Sequence, residues 1–455
     1  MQIIDTVQFD EYWKLRNRTG SVETSSDPAD VVVSEIIKAV RNEGDAALRR
    51  YAERFDRSSP AQLEVPPGLA ESAWENFRKK DEGAAGALEL AAHHILTFAE
   101  LQRKQMSGFE TEMEEGLFTG QRVIPVERAA VYVPAGRFPL FSSVLMGMIP
   151  ALAAGVEEII LASPPMEDCL PDRNILAAAA LALRVGREAA VVKTPKLRIF
   201  AVGGAQAIAA LAIGTESVPR TSVIVGPGNK YVAAAKRLLF GEVGIDFIAG
   251  PTDVLVIVDN GNPDPVELVA ADMLAQAEHD PDARARAIVP DRIMAERIRE
   301  ALERRLAALP EESRSTATAS LDAGGLIIVY KTREEAVHIA NTIAPEHLEL
   351  HSENPDAWIN AGKSGVYLKN YGSLFIGSLA AEVLGDYSAG INHTLPTSGS
   401  ARFTGGLSVR HFLKTPTTLR CVPGAGFESA RKAAEILGRA EGLTAHSYAA
   451  LERRV

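Results

Sequence analysis

The chain has 455 residues, more than a single hydrophobic core accommodates, and a prior of roughly 150 residues per domain predicts about three units. Its formal net charge is −11, from 59 acidic and 48 basic residues that are spread without long runs of one sign. This balance argues against nucleic acid or an anionic membrane as a partner, so a small molecule is expected.

Cysteine use and the amino terminus predict the compartment. Only Cys169 and Cys421 occur, so the sequence offers neither a disulfide framework nor a thiolate metal site. The first residues lack the basic region and apolar core of a signal peptide, and no apolar run approaches the ~18 residues of a membrane span. We therefore expect a soluble, cytoplasmic protein.

The first part of the chain has helical spacing. Residues 1–26 are mixed and polar, and Asp27-Pro28 suits the start of a helix. Apolar residues then recur at helical intervals to Phe55, and a further long helical region spans 68–106.

From residue 122 the pattern alternates between short strands and helices. Alternation of this kind predicts parallel sheets covered by helices on both faces. The strand candidates are Val123–Val126, Ala130–Val133, Glu158–Ala162, Arg198–Val202, Ser222–Val225, Asp253–Val258, Arg286–Val289, Leu326–Tyr330 and Gly365–Leu368.

The predicted fold class is α/β, with two Rossmann-like parallel-sheet domains and helical N- and C-terminal segments. We expect an N-terminal segment (1–26), a first α/β domain with a helical part (27–131 plus 253–400) and a second α/β domain (132–252). The tail (401–455) is too short to form a domain, so it should dock on another surface.

Three strand candidates end in loops that contain glycine: 132–136, 203–206 and 226–229. At the carboxyl ends of parallel strands, glycine lets a phosphate or a ring approach the backbone. The dinucleotide fingerprint G-x-G-x-x-G is absent, however, and a glycine after a strand is often only a tight turn. Each loop alone is therefore weak evidence for a nucleotide site.

The segment Ile343–Leu350 brings two proton-transfer groups together. Pro345 closes the preceding helical pattern, because proline lacks an N–H and biases the residue before it towards extended geometry. Glu346 and His347 then begin an extended segment, and at the mouth of a strand both side chains can reach one cleft. The alternative is a surface pair at a helix-to-strand corner.

A scattered set of polar residues is compatible with a metal. Gln276 and His279 are three apart on one predicted helix, while Asp386, His393 and His446 lie far downstream. Two imidazoles, a carboxylate and an amide oxygen suit a borderline ion such as zinc, but the spacing alone does not select these residues.

Nearly the whole chain resembles the histidinol dehydrogenase family. Many ordered motifs carry this resemblance: Tyr132–Gly136, Pro139–Met146, Gly204–Leu211, Gly226–Asn229, Gln276–Asp280, Ala344–Glu349, Gly385–Tyr387, Asn392–Thr397 and Glu441–His446.

The resemblance implies one zinc ion per subunit and NAD as the oxidant. The residues that it assigns to each role are, for zinc, Gln276, His279, Asp386 and His446; for NAD, Tyr132, Gln206 and Asn229; and for substrate, Thr252, Gln276, His279, His347, Asp386, His393, Glu441 and His446. The domain 132–252 would then be the NAD-binding domain.

The implied reaction is the oxidation of L-histidinol to L-histidine by two successive hydride transfers. His347 would take the hydroxyl proton in the first step, and Glu346 would activate water for attack on the aldehyde in the second. The resemblance also implies a homodimer in which the tail is exchanged, so that Glu441 and His446 complete the partner's site.

Three departures from the family pattern leave alternatives open. Thr252-Asp253 replaces a usual Ser-Glu pair, Ala135 replaces a usual glycine, and 184–196 is longer than the usual connection and is expected to form a surface loop. One alternative is a dehydrogenase of another amino or sulfonated alcohol on the same scaffold, such as sulfopropanediol. A second is a zinc hydrolase that uses Glu346, which would form product without NAD.

Overall fold

The computed structural model describes residues 1–19, 28–135, 139–188, 195–260, 264–362 and 365–454. In these ranges the α-helices are α1 (Thr6–Thr19), α2 (Pro28–Glu43), α3 (Asp45–Phe55), α4 (Leu69–Lys80), α5 (Glu82–Lys104), α6 (Ser142–Ala154), α7 (Arg173–Gly186), α8 (Gly204–Ile213), α9 (Lys230–Leu239), α10 (Val266–Ala277), α11 (Arg292–Ala308), α12 (Glu311–Gly324), α13 (Arg333–Ile343), α14 (Asp356–Ile359), α15 (Glu382–Tyr387), α16 (Ala425–Ala440) and α17 (Thr444–Leu451). Short 3₁₀ helices span Ser400–Arg402 and Val409–Phe412.

The strands of the same ranges are β1 (Gln2–Asp5), β2 (Phe109–Glu114), β3 (Leu117–Gln121), β4 (Ile124–Pro125), β5 (Arg128–Tyr132), β6 (Glu158–Ser163), β7 (Lys196–Ala201), β8 (Val223–Val225), β9 (Gly244–Ile245), β10 (Asp253–Val258), β11 (Arg284–Val289), β12 (Leu326–Val329), β13 (His347–His351), β14 (Ser373–Ile376), β15 (Leu413–Lys414) and β16 (Thr417–Cys421). Of the described helices, none combines the length and the apolar composition needed to cross a bilayer.

Two parallel sheets dominate the molecule, which confirms the predicted α/β class. The larger sheet has the order β1-β12-β11-β10-β13-β14, and the smaller has the order β7-β6-β5-β8-β9. All pairs within both sheets are parallel. Every residue of β10 is buried, as expected for a strand that is covered on both faces.

Each sheet is covered by helices that present apolar faces to it. α6 and α7 lie on one face of the five-stranded sheet, and α2, α8 and α9 lie on the other. α10, α11 and α12 cover one face of the six-stranded sheet, and α13 packs on its opposite face.

Whereas α1 packs on the six-stranded sheet through Phe9, helices α2 to α5 pack with the five-stranded sheet. α2 and α3 share its core with β5 and α8, and α4 and α5 share its other core with α6 and α7. The domain expected from the sequence, 27–131 plus 253–400, differs from this packing. The expected separate segment 1–26 also differs, because β1 is an edge strand of the six-stranded sheet.

Several local expectations need correction. The predicted strand Gly365–Leu368 was wrong; the strand that extends the sheet beside β13 is Ser373–Ile376. The tail is not only helical, because β16 pairs with β3 and β15 with β4. The predicted surface loop at 184–196 includes residues 189–194, which lie outside the described ranges, while α7 continues to Gly186 and β7 begins at Lys196.

Candidate functional site

A cavity of about 240 Å³ lies at the amino-terminal edge of the six-stranded sheet. Thr252 directly precedes β10, and Glu346 directly precedes β13, so both strands deliver polar groups at this edge. The structure brings six of the predicted site residues to its wall: Thr252, His279, Glu346, His347, Asp386 and His393.

The local backbone explains how Glu346 and His347 reach the same cavity. α13 ends at Ile343, and Ala344 adopts a left-handed conformation (φ 50°) in which its N–H donates to the Ala340 carbonyl. This turn and Pro345 end the helix before β13 begins at His347. Both side chains are buried, at 6% and 3% exposure, which excludes the alternative of a surface pair.

Glu346 is held by the two residues that depart from the family pattern. Its Oε2 accepts hydrogen bonds from the Thr252 hydroxyl (2.5 Å) and from the Asp253 N–H (3.1 Å). Asp253 Oδ1 accepts in turn from the Glu346 N–H (3.1 Å), and Asp253 Oδ2 pairs with Arg286 Nη1 at 3.2 Å. Burial raises the pKa of Glu346 well above its ordinary value.

His347 has both ring nitrogens buried without a hydrogen-bond partner among the described residues. Its Nδ1 lies 3.6 Å from Glu382 Oε1, and its Nε2 lies 3.7 Å from Asp386 Oδ1. Burial lowers the pKa of His347 to about 3, so the imidazole is neutral near pH 7. A neutral imidazole with unpartnered nitrogens can accept a proton or bind a ligand.

Glu382 is a cavity residue that the sequence analysis missed. It precedes Asp386 by four positions on α15, so the two carboxylates share a helical face. The ligand atoms of His279, Glu382 and Asp386 lie within 4.8 Å of one another, which makes these three a candidate metal centre. Burial raises the pKa of Asp386 to about 6 and that of Glu382 well above its ordinary value.

The other predicted metal ligands have different positions. Gln276 is fully buried behind the cavity wall; with its amide oxygen turned to Thr252, its amide nitrogen donates to Glu382 Oε1 at 2.5 Å. His446 lies on α17 and Glu441 directly follows α16; both are exposed, and neither is among the residues that line the cavity.

His393 occupies the opposite wall. Its Nε2 lies 3.4 Å from the Ser143 hydroxyl on α6, and burial lowers its pKa to about 4. This contact joins a helix of the five-stranded sheet to the cavity of the six-stranded sheet.

A second cavity, of about 580 Å³, lies at the carboxyl edge of the five-stranded sheet. Tyr132, Gln206 and Asn229 all line it, one from each loop singled out in the sequence. The loop that supplies Asn229 also supplies Pro227 and Gly228 to the smaller cavity, so one loop contributes to both.

The backbone of the larger cavity suits a phosphorylated ligand. α8 begins at Gly204 without a side-chain cap, as at many helix ends that bind phosphate. The N–H of Gly204 donates to the Tyr132 hydroxyl at 3.1 Å. Gly226 has φ 116°, and a Cβ there would lie 2.1 Å from the Tyr132 carbonyl oxygen, so only glycine permits this approach.

Asp56 is the second residue that sequence reasoning missed. It follows α3 and lines the larger cavity, where its Oδ2 accepts from Gln206 Nε2 at 3.4 Å. Burial raises the pKa of Asp56 to about 6. Nothing in its local sequence distinguishes it from a surface aspartate after a helix.

Comparison with known proteins identifies, over most of the chain, the family that the sequence motifs resemble. The model of the family described as "Histidinol dehydrogenase" matches residues 20–454. Relatives named histidinol dehydrogenase include one from Thermus thermophilus, 44% identical over 95% of this chain and 97% of its own length, and one from Aquifex aeolicus, 42% identical over 98% of both. A crystal structure of histidinol dehydrogenase from Elizabethkingia anophelis has a TM-score of 0.83 and 32% identity, and the match covers 94% of this chain and 93% of that one.

Proposed function

Because the chain belongs to the histidinol dehydrogenase family and is therefore an oxidoreductase enzyme, we propose that it oxidises L-histidinol to L-histidine through histidinaldehyde. NAD would be the oxidant, and zinc would hold the substrate. The observation that carries this proposal is the pair Glu346 and His347, buried in one cavity that shares a loop with the larger cavity.

The larger cavity is the proposed NAD site. Its volume, the uncapped amino end of α8 and the glycine at 226 suit a dinucleotide, and Tyr132, Gln206 and Asn229 would contact it. NAD bound there would accept one hydride in each of the two oxidations, so the complete reaction consumes two NAD and one water.

The zinc would be held by His279 and Asp386, with Gln276 from behind and His446 from a second chain. The proximity of His279, Glu382 and Asp386 supports a fit, since an imidazole and carboxylates are ligands that zinc accepts. Zinc bound there would orient the substrate through its nitrogen atoms. Glu382 is an additional candidate ligand.

The proton chemistry belongs to His347 and Glu346. His347 is neutral near pH 7 and would accept the hydroxyl proton as the alcohol carbon loses hydride. Glu346, fixed by Thr252 and Asp253, would then take a proton from the water that attacks the aldehyde. Its raised pKa makes it a stronger base towards water than an exposed carboxylate would be.

The charge of the cavity favours an amino alcohol over a sulfonated one. Among the described lining residues there is no lysine or arginine, whereas Glu346, Glu382 and Asp386 are carboxylates. Such a wall offers a sulfonate no lysine or arginine to pair with, whereas a carboxylate such as Asp386 can pair with a cationic amine. Thr252 and Asp253 depart from the family pattern, but both donate a hydrogen bond to Glu346. Their departure is therefore no argument against histidinol as the substrate.

The test is the NADH yield per molecule of substrate consumed, measured on a panel of alcohols. We expect two NADH per histidinol and no turnover of 2,3-dihydroxypropane-1-sulfonate. Product formed without NAD would support a hydrolase instead, and a yield of one NADH would contradict the second oxidation.

A further inference from the structure

A second polar cluster lies deeper in the six-stranded sheet, behind the cavity. His347, Glu349 and His351 are alternate residues of β13, so their side chains leave the strand on the same face. Asp272 precedes Gln276 by one turn on the same face of α10. Asp272, Glu349 and His351 therefore lie next to the residues of the 240 Å³ cavity, further from its opening.

These three side chains have the geometry of a metal centre. One ligand atom from each lies within 4.8 Å of the other two, and Glu349 Oε2 is 3.7 Å from His351 Nε2. Glu349 is 1% exposed and His351 is 3% exposed, whereas Asp272 is partly exposed and leaves a path for an ion.

Part of this cluster has no hydrogen-bond partner. Among the described residues, neither Glu349 Oε2, which points towards His351, nor His351 Nδ1 has one. The other oxygen of Glu349 accepts from the Glu382 N–H at 2.8 Å, so the carboxylate is fixed in position. A buried oxygen that is aimed at an imidazole and left unpartnered is costly unless a cation or proton occupies the space.

Arg305, whose positive charge acts on Asp272, already pairs with Glu267. The guanidinium of Arg305 contacts Glu267 through Nε at 3.0 Å and through Nη2 at 2.8 Å, and it acts on Asp272 only through its longer-range charge. Among the contacts of the described residues, the two carboxylates therefore have no lysine or arginine partner, and the basic group beside them is the imidazole of His351, 3.7 Å from Glu349 Oε2.

We propose that Asp272, Glu349 and His351 form a second divalent-metal site, separate from the site of His279 and Asp386 and suited to zinc or manganese. Two carboxylates select a divalent cation, and the imidazole favours a transition metal over magnesium or calcium. Through Glu349 the ion would fix the Glu382 N–H, at the start of α15, and so stiffen the wall that carries Asp386.

The competing occupant is a proton shared by the two carboxyl groups. Burial and the adjacent Glu349 raise the pKa of Asp272 to about 8, so a proton would also satisfy the pair. The two occupants differ in one measurable respect, the number of metal ions that each chain retains.

The experiment counts metal on the full-length protein. Wild type is stripped with a chelator, re-equilibrated with zinc, desalted and assayed for zinc per chain by mass spectrometry. We expect two equivalents in wild type, one in Asp272→Asn and one in His351→Gln. The control Glu303→Gln, an exposed acid on α11, should keep two.

A further variant separates this proposal from the catalytic one. Asp386→Asn should lose the other equivalent and keep the ion at Asp272, and the same count with Mn²⁺ serves as a second probe. One equivalent in wild type that both Asp272→Asn and His351→Gln retain would overturn the second site, as would two that neither variant reduces. If Asp272→Asn does not fold, as judged by circular dichroism, His351→Gln and the wild-type count still decide.

Discussion

Glu346 and His347 are neighbours in the chain, but their surroundings differ in a way that suits two separate tasks. The Glu346 carboxylate is fixed by two hydrogen bonds, whereas the His347 ring has no hydrogen-bond partner among the described residues. A fixed carboxylate can direct a water molecule, while an unpartnered imidazole can bind the substrate hydroxyl.

The first prediction follows from this difference. His347→Ala should lower the overall rate by roughly 10²–10⁴, the usual contribution of a general base. Glu346→Gln should mainly impair oxidation of supplied histidinaldehyde and leave alcohol oxidation detectable. The two half-reactions are measured separately, with Glu353→Gln, an exposed acid, as the control. Equal losses in both half-reactions would refute the division.

The second prediction concerns pH and Asp56. Burial raises its pKa from 3.8 to about 6 in the folded protein, so the folded state binds the proton more tightly than the unfolded state does. Stability from this group is therefore present at low pH and is lost as pH rises from about 4 through about 6.

Asp56→Asn should remove this fall in folding stability with rising pH, because the amide does not ionise. We expect it to raise the free energy of unfolding at pH 7.5 by about 1–2 kcal/mol after solvent screening, and to change it little at pH 4. Thermal midpoints across pH measure the effect, with Asp10→Asn as the exposed control. A shift of the same size at both pH values would show that the charge of Asp56 is not the cause.

At the scale of elements, the buried parallel strands were the most predictable. β10 is apolar except at its first residue and is buried throughout, so it stands out in the sequence whatever its neighbours are. β2 was missed because all its residues are exposed and its sheet is completed by β16, some 300 positions away. The register of such strands depends on partners that the local pattern does not reveal.

The prediction of a strand at Gly365–Leu368 was wrong for a similar reason: the local pattern does not show which backbone groups are its partners. Its apolar residues do pack in the core, but Leu368 N–H donates to the Trp358 carbonyl across a loop rather than to a strand. The motif residues of the cavity could be predicted because the family resemblance carries them. Glu382 could not, because its burial is fixed by β13 and Gln276 rather than by its own neighbours.

One loop, Gly226–Asn229, serves both cavities, and a buried ion pair holds it. Lys236 Nζ donates to the Gly226 carbonyl and to Asp246 Oδ1, both at 2.6 Å, and Asp246 Oδ2 accepts from the Gly226 N–H at 2.8 Å. Lys236 is 3% exposed. The pair therefore positions the start of the loop from both its carbonyl and its N–H.

The third prediction is that Lys236→Met destabilises the protein by about 3–5 kcal/mol, because it leaves the Asp246 carboxylate buried without its partner. The KM for NAD should rise as the loop loses its support. Lys236→Met/Asp246→Asn should recover part of the stability, since no buried charge remains, and Lys80→Met is the exposed control. A double variant no more stable than the single one would contradict this account. Denaturant unfolding and steady-state kinetics provide the measurements.

At the scale of the whole molecule, the tail carries apolar residues that one chain does not cover. Leu437, Leu443 and Tyr448 are 60%, 46% and 61% exposed on or between α16 and α17. Side chains of this size in one short segment are typical of an interface. His446 and Glu441 lie in the same segment, outside the cavity that they are predicted to serve. A second chain that covers this segment would account for both observations.

The last prediction tests that exchange without a structure of the dimer. His347→Ala and His446→Ala proteins should each be nearly inactive, because every site of either homodimer lacks one group. If the tail serves the partner, a mixed dimer holds one site with both defects and one intact site. After equal mixing and subunit exchange, activity should return to about a quarter of wild type, since half the dimers are mixed and each has one working site. Native mass spectrometry verifies the exchange. If mixed dimers form and activity stays absent, each tail serves its own chain, because every site in a mixed dimer would then keep one defect.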